Sequence, residues 1–437
     1  MTSYRLMLGF KYNSLSRCVM ATKRITFRLY PNKAQNDKLH YWRKLHCLLY
    51  NACVYHRKTE YKKFGKSVNY FDQQNCLPEF KKCWTEYLEL GSHALQATVK
   101  RVDFAFQRFF KLKLGYPRFK SSRHYKGWTY PEQAGWKIES SGHHGFLNIS
   151  KLGRIKIRGK ARDWGIPNTC TIMFKQGKWF ASITVECNPI RPTTNTGAIG
   201  LDFGLNHAVA DSNENFIENP RFLKVAQEKI KKAAKKARRK RNPKRGVRAS
   251  RRWKKAARKV GKIQSKVARQ RQDWQHKVAV EIVSRNSFIA TEKLTLKGMT
   301  KKAKKGSKRK KQKSGLNKSI LDVGIGNLKA LIKEKVTDAG GFYIEVPTTK
   351  VKPSQTCSNC GHQKKKTLAE RIHVCERCNF TCNRDTNAAK VMLNYAKRGQ
   401  ELPSTDLESS TSVLCGSMRQ VGAKKSQKHL SQRSGQM

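Results

Sequence analysis

The feature that most constrains the fold is a set of four cysteines near the C-terminus. They occur as two CxxC pairs separated by 14 residues: Cys357 with Cys360, and Cys375 with Cys378. Four thiolates at this spacing are typical of a closed tetrahedral zinc site, in which the metal has a structural role. Gly361, after the first pair, can supply the positive φ of a zinc knuckle, and Asn379 at the matching position tolerates it. The sequence therefore predicts a zinc ribbon, with Cys382 and His373 as spare donors nearby.

Positive charge dominates the composition. The 437 residues include 93 Lys and Arg against 29 Asp and Glu, a formal net charge of +64. Such an excess repels itself in a compact state, and nucleic acid is the partner whose phosphates would offset it. We find neither a run of 18 apolar residues nor a hydrophobic signal segment, so we expect no membrane partner. The zinc-type spacing of the paired cysteines indicates a reducing cytosol.

Three acidic residues lie at positions that favour a metal site. Asp202 stands between two apolar residues of a predicted strand, Glu292 lies in a second buried-type strand, and Asp385 marks a predicted helix start. A buried acid costs free energy unless it is hydrogen-bonded, paired or bound to a cation, so a structural role is the alternative at each position. Together the three predict the RNase H arrangement, in which carboxylates hold two Mg²⁺ ions roughly 4 Å apart for phosphodiester hydrolysis.

The remaining apolar patterns predict the order of the elements. These are a strand at 25–29, helices at 33–63 and 92–112, short strands over 115–195, a helical hairpin at 221–285, a helix at 320–339, a strand at 341–346 and a helix at 387–397. The order predicts a β-rich domain with a helical insertion after its first strand. The lysine tract at 301–313 predicts a disordered loop.

The helical hairpin contains a long run of basic residues. From Lys231 to Lys259 it contains 17 basic residues and no acid. A solvated helix face is the alternative, but such a face normally mixes both signs of charge. We therefore predict that the hairpin binds nucleic acid. The residues predicted to contact phosphate are Arg238, Arg239, Arg241, Arg245, Arg251, Arg252, Lys254 and Lys255.

Several motifs, taken in order, resemble those of TnpB, the transposon-encoded relative of the type V CRISPR nucleases. GLDFG at 200–204, ATEKL at 290–294 with KGM at 297–299, and NRDTNAA at 383–389 resemble its three RuvC motifs. SQTCSNCG at 354–361 resembles the opening of its zinc ribbon, and FRLYP at 27–31 and YPRFKS at 116–121 resemble its N-terminal signatures. The ordered combination, spread over residues 22–397, is far more specific than any one motif.

The resemblance implies a multidomain α/β fold. An RNase H-like (RuvC) nuclease core with a basic helical insertion and a zinc ribbon would follow a WED-like β-barrel with an inserted REC-like helical domain. The implied boundaries are an extension at 1–21, the barrel at 22–32 and 113–195, the helical domain at 33–112, the RuvC core at 196–355 and 383–397 with its hairpin at 221–285, the ribbon at 356–382 and a disordered tail at 398–437.

The resemblance also implies an activity, RNA-guided cleavage of both strands of DNA beside a short target-adjacent motif. The implied partners are a guide RNA, transcribed from the transposon end, and double-stranded target DNA, bound by a monomer in the prokaryotic cytosol. Asp202, Glu292 and Asp385 would be catalytic and hold two Mg²⁺, with Mn²⁺ as a substitute, and the four paired cysteines would hold one Zn²⁺. Asn383 stands where many relatives have Asp, and we expect it to tune the local field without binding metal.

Two other function classes are weighed against the nuclease. A guide-dependent repressor would bind DNA without cutting it, but some relatives of that kind have lost the acids that are present here. A transposase that mobilises its element directly would need a nucleophilic tyrosine with a histidine pair, or its own acid triad with an end-binding domain. The sequence contains no His-x-His motif.

Overall fold

The computed structural model describes residues 21–191, 194–242, 247–303, 306–367 and 370–399, and the fold mixes α-helices with β-strands. Residues 1–20 of the predicted extension, the predicted tail from residue 400 and Arg245 lie outside the described residues. The chain divides into two compact units. The first comprises the described residues of 21–191 and 226–266, and the second those of 194–225 and 267–399. The finer domain boundaries remain predictions.

The first unit combines one antiparallel sheet with a group of helices. Its elements are β1 (Ala21–Tyr30), α1 (Lys33–Phe64), α2 (Tyr70–Asn75), α3 (Leu77–Cys83), α4 (Ser92–Leu112), β2 (Gly127–Tyr130), β3 (Trp136–Glu139), β4 (Gly145–Ile149), β5 (Gly153–Arg158), β6 (Ile166–Lys175) and β7 (Lys178–Cys187). The strand order is β2-β6-β7-β1-β5-β4-β3, and every pair is antiparallel. The helices follow β1 in the chain, as predicted. Closure of this sheet into a barrel remains a prediction.

Local sequence explains where the first helix begins and ends. Asn32 and Gln35 form a reciprocal capping box at the N-terminus of α1, and Gly65 ends the helix in the left-handed conformation. The buried face of α1 includes Trp42, which meets Trp128 of β2 with ring centroids 6.3 Å apart. Helix and sheet therefore share one apolar core.

The second unit is built around a five-stranded sheet. The remaining elements of the chain are β8 (Gly197–Asp202), β9 (His207–Asp211), β10 (Phe216–Glu218), α5 (Phe222–Arg238), α6 (Arg251–Arg285), β11 (Asn286–Glu292), α7 (Leu296–Met299), α8 (Lys310–Val323), α9 (Ile325–Asp338), β12 (Phe342–Val346), α10 (Thr348–Val351), β13 (Ile372–Val374), β14 (Thr381–Asn383) and α11 (Arg384–Arg398). The sheet has the order β10-β9-β8-β11-β12, and β11 is parallel to both β8 and β12.

Helices cover both faces of this sheet. On one face, α6 and α9 bury residues such as Val278 and Leu328 against Leu201. On the other face, α11 buries Met392 with Val346 of β12. The two middle strands each have a short run of apolar or small residues, 199–201 in β8 and 288–290 in β11, as expected of strands covered on both faces. None of the described helices has the length and apolarity needed to cross a membrane.

Two predicted elements differ from the structure. The single helix predicted at 320–339 is two helices, α8 and α9, because Gly324 between them adopts φ +69°, a left-handed conformation that interrupts a right-handed helix. The lysine tract predicted as a disordered loop is partly ordered, since α8 already begins at Lys310. Good helix propensity of lysine and contact of Ile320 with the core account for this correction.

Candidate active site and metal centres

The three predicted acids converge at one end of the inner strands of the five-stranded sheet. Asp202 is the last residue of β8 and Glu292 the last residue of β11. The register of these parallel strands sets Thr291 opposite Leu201, so the two acids follow at the same end. Asp385 lies in the first turn of α11, which packs on β8. The charges of Glu292 and Asp385 both act on Asp202.

The backbone of α11 packs directly against the backbone of β8 at Gly200. A Cβ atom added at Gly200 of β8 would lie 2.0 Å from the main-chain oxygen of Ala389, so no larger residue fits without moving the helix. Asn383 fixes the start of the same helix, because its side chain accepts a hydrogen bond of 2.9 Å from the backbone N–H of Asp385. The position of Asp385 thus depends on Gly200, which lets α11 approach β8, and on Asn383, which caps the N-terminus of α11.

The electrostatics of the cluster favour a bound cation. Burial is the largest cause that raises the pKa of Asp202 to about 8, and the charges of Glu292 and Asp385 raise it further. Burial also raises the pKa of Glu292, and the Lys329 ammonium opposes that rise. Because a nearby cation favours the charged form of a carboxylate, a divalent ion would stabilise the fully ionised cluster. Three converging carboxylates are also the hard oxygen donors that suit Mg²⁺.

The four predicted zinc ligands form a second centre. The Sγ atoms of Cys357, Cys360, Cys375 and Cys378 all lie within 4.8 Å of one another. Two of these separations are 3.8 Å, between Cys357 and Cys378, and 3.5 Å, between Cys360 and Cys375. A tetrahedral zinc with bonds of about 2.3 Å to sulfur requires S–S distances of about 3.8 Å, so the cluster fits zinc. Cys382 is outside this group, which agrees with its prediction as a spare donor.

The backbone of both zinc knuckles has the predicted conformation. Gly361 has φ +76° and Asn379 has φ +54°. Each knuckle closes through the same bond, from the N–H of the residue after the second cysteine to the carbonyl oxygen of the first, at 3.0 Å and 2.9 Å. Burial tends to raise the pKa of Cys375, but hydrogen bonds with the backbone N–H groups of Cys378 and Arg377 and with the thiols of Cys360 and Cys378 together lower that pKa to about 6. A thiol that ionises readily is a good metal ligand.

Hydrogen bonds attach the ribbon to the helix that bears Asp385. The buried Asn387 donates to the oxygen of Thr356 at 2.7 Å and accepts from the N–H of Ser358 at 3.0 Å. Asn394, two turns further along α11, donates to the oxygen of Ser358 at 3.0 Å. The first knuckle and α11 are therefore one hydrogen-bonded assembly, and the NRDTNAA motif supplies both the acid and its attachment.

The basic hairpin forms a groove between the end of α5 and the start of α6. The groove has a volume of about 640 Å³ and is lined by Lys236, Lys240, Arg252, Lys255, Ala256, Arg258, Lys259 and Lys262. Of the residues predicted to contact phosphate, Arg252 and Lys255 line it. Arg238, Arg239, Arg241, Arg251 and Lys254 are exposed residues of the same region outside the lining. Helical periodicity within the basic run could have selected the lining residues, since 252, 255, 259 and 262 recur every three or four positions.

Sequence patterns gave no indication of one residue beside the acids. Lys329 of α9 has a side chain that is only 8% exposed, and its Nζ lies 3.0 Å from a carboxylate oxygen of Glu345. The same Nζ donates to the main-chain oxygen of Glu292. The sequence shows a lysine in a helix with other lysines nearby, and only the packing distinguishes it from them.

Comparisons with known proteins agree with this geometry. The OrfB_IS605 family, described as "Probable transposase", matches residues 182–303, and the family described as "Cas12f1-like, TNB domain" matches residues 326–392. The first match includes Asp202 and Glu292, and the second includes the four zinc-type cysteines and Asp385. Together they span most of the second unit.

Relatives match over most of the chain. A protein of Escherichia coli (strain K12) named "Putative RNA-guided DNA endonuclease InsQ" is 28% identical over 377 residues, which cover 84% of this chain and 90% of that protein. A "Putative RNA-guided DNA endonuclease" of Streptomyces pristinaespiralis is 26% identical over 380 residues, 84% of this chain and 87% of that protein. "TnpB-like protein L79" of Acanthamoeba polyphaga mimivirus is 31% identical over 147 residues, 33% of this chain and 26% of that protein.

A solved structure among those that match is similar in fold. It is described as "Cryo-EM structure of the Cas12f1-sgRNA-target DNA complex", and the protein in it matches with a TM-score of 0.54 at 14% identity. The match covers 86% of this chain and 99% of that one. At this identity the likeness concerns the fold alone.

Proposed function

We propose that this chain, a homologue of the TnpB and InsQ proteins, is a transposon-encoded RNA-guided DNA endonuclease. The observation that carries the proposal is the convergence of Asp202, Glu292 and Asp385 at one edge of the sheet. The two relatives that match over most of the chain are named RNA-guided DNA endonucleases, and from these names we infer DNA as the substrate and RNA as the guide. The strand order, with β8 and β11 parallel and α11 across them, supports an RNase H-like (RuvC) core.

The proposed chemistry is hydrolysis of a phosphodiester bond. Two Mg²⁺ ions, or Mn²⁺ in their place, would supply an activated water and stabilise the leaving oxygen. Asp202 and Glu292, each at the end of a strand, and Asp385, in the first turn of α11, would hold these ions through their carboxylate oxygens. All three groups must be ionised to do this, which the raised pKa of Asp202 opposes until cations bind.

The second proposed role is electrostatic. The groove between α5 and α6 binds the sugar-phosphate backbone of the guide RNA or of its hybrid with DNA, because its lining combines seven cations with no acid. The four cysteines hold one structural Zn²⁺, which keeps the ribbon attached to α11. A WED-like barrel, a REC-like helical domain at 33–112 and a monomeric state are parts of the same proposal.

The proposal is tested by purifying the protein with the RNA that accompanies it, sequencing that RNA and assembling matched DNA duplexes. Each duplex carries a randomised segment beside the matched sequence, so that an adjacent motif can be found. We expect cutting of matched duplexes with Mg²⁺ and none of mismatched ones. Binding without cutting under any divalent metal would favour a repressor, and strand joining at the transposon ends would favour a transposase.

A further inference from the structure

Lys329 is a buried cation that contacts two strands, β11 and β12, and the residue that follows β8, near the strand ends that carry Asp202 and Glu292. Its Nζ donates to the main-chain oxygen of Glu292 on β11 and pairs with Glu345 on β12 at 3.0 Å. It also lies 5.9 Å from the ring centroid of Phe203, the residue after Asp202. One ammonium group therefore contacts the chain at both of the strand ends that bear metal-site acids.

A buried lysine at this place requires an explanation. Lysine is rarely buried because removing its charge from water is costly. The same face of α9 otherwise carries Leu328, Ile332 and Val336, each fully buried, so an apolar residue at position 329 would also satisfy the packing. Lys333, one turn later, is exposed, and its Nζ lies 6.0 Å from the ring centroid of Tyr343. Burial of the Lys329 charge therefore carries a desolvation cost that the exposed Lys333 does not have.

We propose that Lys329 is a positioning residue of the metal site. Its ammonium links the main chain of Glu292 at the end of β11 to Glu345 of β12 and lies against Phe203 after β8, so that the strand ends that carry Asp202 and Glu292 are held in place before any metal arrives. The inference rests on the proposed function, since it assigns a role in holding the same metal. The bond to the main-chain oxygen is the central contact, because it fixes the backbone of Glu292 and leaves the Glu292 carboxylate free for metal.

A positioning role and a purely electrostatic role of Lys329 predict opposite changes in Mg²⁺ affinity when Lys329 is replaced. A cation this close to the ligands repels Mg²⁺, so removing it by charge alone would tighten metal binding. If Lys329 acts by holding the strand ends, removing it weakens metal binding, since ligands that are not oriented must be ordered when the metal binds. The sign of the change in affinity therefore separates the two roles.

The test measures the melting temperature of the full chain against MgCl₂ concentration, in buffer without chelator so that zinc is retained. Wild type gains stability as Mg²⁺ binds the folded state. In Lys329→Met we expect the half-saturating concentration to rise by about tenfold or more. Lys329→Arg keeps a donor cation and should recover part of the loss. Lys333→Met, on the same helix, is the matched control and should equal wild type.

Glu345→Gln is a second variant, which tests the same contact even if Lys329→Met does not fold. Glu345 is 40% exposed, so its replacement is compatible with folding. Loss of its charge frees Lys329 and should raise the half-saturating Mg²⁺ concentration by a smaller factor. Because losing an anion near the site also weakens Mg²⁺ binding by charge alone, the double variant Lys329→Met, Glu345→Gln is compared with Lys329→Met. We expect no further rise in the double variant if Glu345 acts through Lys329, whereas a direct charge effect of Glu345 would add to it. Cutting of a matched duplex by both single variants should recover at high Mg²⁺, while guide-directed DNA binding stays unchanged.

The outcomes are distinct. An unchanged or lower half-saturating concentration in both Lys329→Met and Glu345→Gln would overturn the positioning role, even if the melting temperature of the metal-free variants fell. A wild type whose melting temperature does not respond to Mg²⁺, and which matches Asp202→Asn in this respect, would overturn the proposed metal site and this inference with it. A rise confined to the Lys329 and Glu345 variants supports it.

Discussion

At the scale of single residues, Asp202 determines how the metal-free protein responds to pH. Its folded-state pKa of about 8 lies above its ordinary value of 3.8, so the folded state binds its proton more tightly than the unfolded state does. Stability of the metal-free protein should therefore be highest at low pH with respect to this group. It should fall as the pH rises from about 4 to 8.

Asp202→Asn removes this loss because an amide does not ionise. At pH 8 without Mg²⁺ we expect the variant to melt roughly 3 °C or more above wild type, and the difference should shrink towards pH 5. Addition of Mg²⁺ should raise the melting temperature of wild type and leave the variant unchanged. Differential scanning fluorimetry measures both. A variant less stable than wild type at pH 8 would contradict the assigned pKa direction.

The sequence was sufficient to choose the three acids because each stands in a short motif with a distinctive apolar setting. It could not identify Lys329, whose role depends on contacts between α9 and two strands distant in sequence. Asn383 was expected to influence the local field, and the structure adds a definite contact, its acceptance of the Asp385 N–H. Residues that act through the main chain of others leave no pattern in a single sequence.

At the scale of elements, α11 depends on Gly200 for its place on β8. Gly200→Ala would force the helix away from the strand, because the new Cβ would lie 2.0 Å from the oxygen of Ala389. We expect a loss of about 2 kcal/mol or more in unfolding free energy and a large loss of cutting. Urea denaturation measures the first. Gly261→Ala, whose Cβ would meet nothing within 4 Å, is the control and should not destabilise. Equal stability of Gly200→Ala and wild type would refute the close approach.

The zinc ribbon should support DNA cleavage because it holds α11, the helix that carries Asp385, in place. Cys375→Ser should lose zinc and, with it, the fixed attachment of Asn387 to the first knuckle, so cutting should fall although all three acids remain. Cys382→Ser is the matched control, since this thiol lies in the ribbon but outside the four-sulfur cluster, and it should retain both zinc and activity. Metal analysis of the purified proteins gives the zinc content. Full zinc occupancy in Cys375→Ser would contradict the ligand set.

Element prediction succeeded where apolar periodicity was strong. Helices α1 and α4 follow the ranges predicted at 33–63 and 92–112 closely, because long amphipathic patterns outweigh local variation, whereas β1 extends beyond the strand predicted at 25–29 at both ends. The break at Gly324 was missed because the apolar periodicity continues across it from α8 into α9. The start of α8 within a lysine tract was missed because charge runs are typical of loops, whereas the apolar residues further along anchor this helix to the core.

At the scale of the whole molecule, a net charge of +64 requires a polyanionic partner, and the groove between α5 and α6 is where its phosphates should concentrate. Changing Lys236, Lys240, Lys255 and Lys259 to Gln should reduce the slope of log affinity for guide RNA against log salt. The slope should fall by roughly 0.7 for each phosphate that the protein no longer neutralises, because one counterion fewer is released there.

A control set of substitutions removes the same amount of charge from the hairpin outside the groove, at Arg238, Arg239, Arg241 and Arg251. A smaller change in slope is expected for this set, and fluorescence anisotropy across a salt series measures it. Equal slopes for the two sets would mean that the hairpin binds through its overall charge and that the groove has no special part.

The central claim is that Asp202, Glu292 and Asp385 cut DNA that a guide RNA has selected. The most direct measurement follows binding and cleavage of one guide-matched duplex, in the same samples, for wild type and the variants Asp202→Ala, Glu292→Ala and Asp385→Ala. Each variant should bind the duplex as tightly as wild type and cut it at least about a hundredfold more slowly, because the carboxylates hold metal while base pairing and basic surface hold DNA. Cutting by any of the three at the wild-type rate would contradict the account.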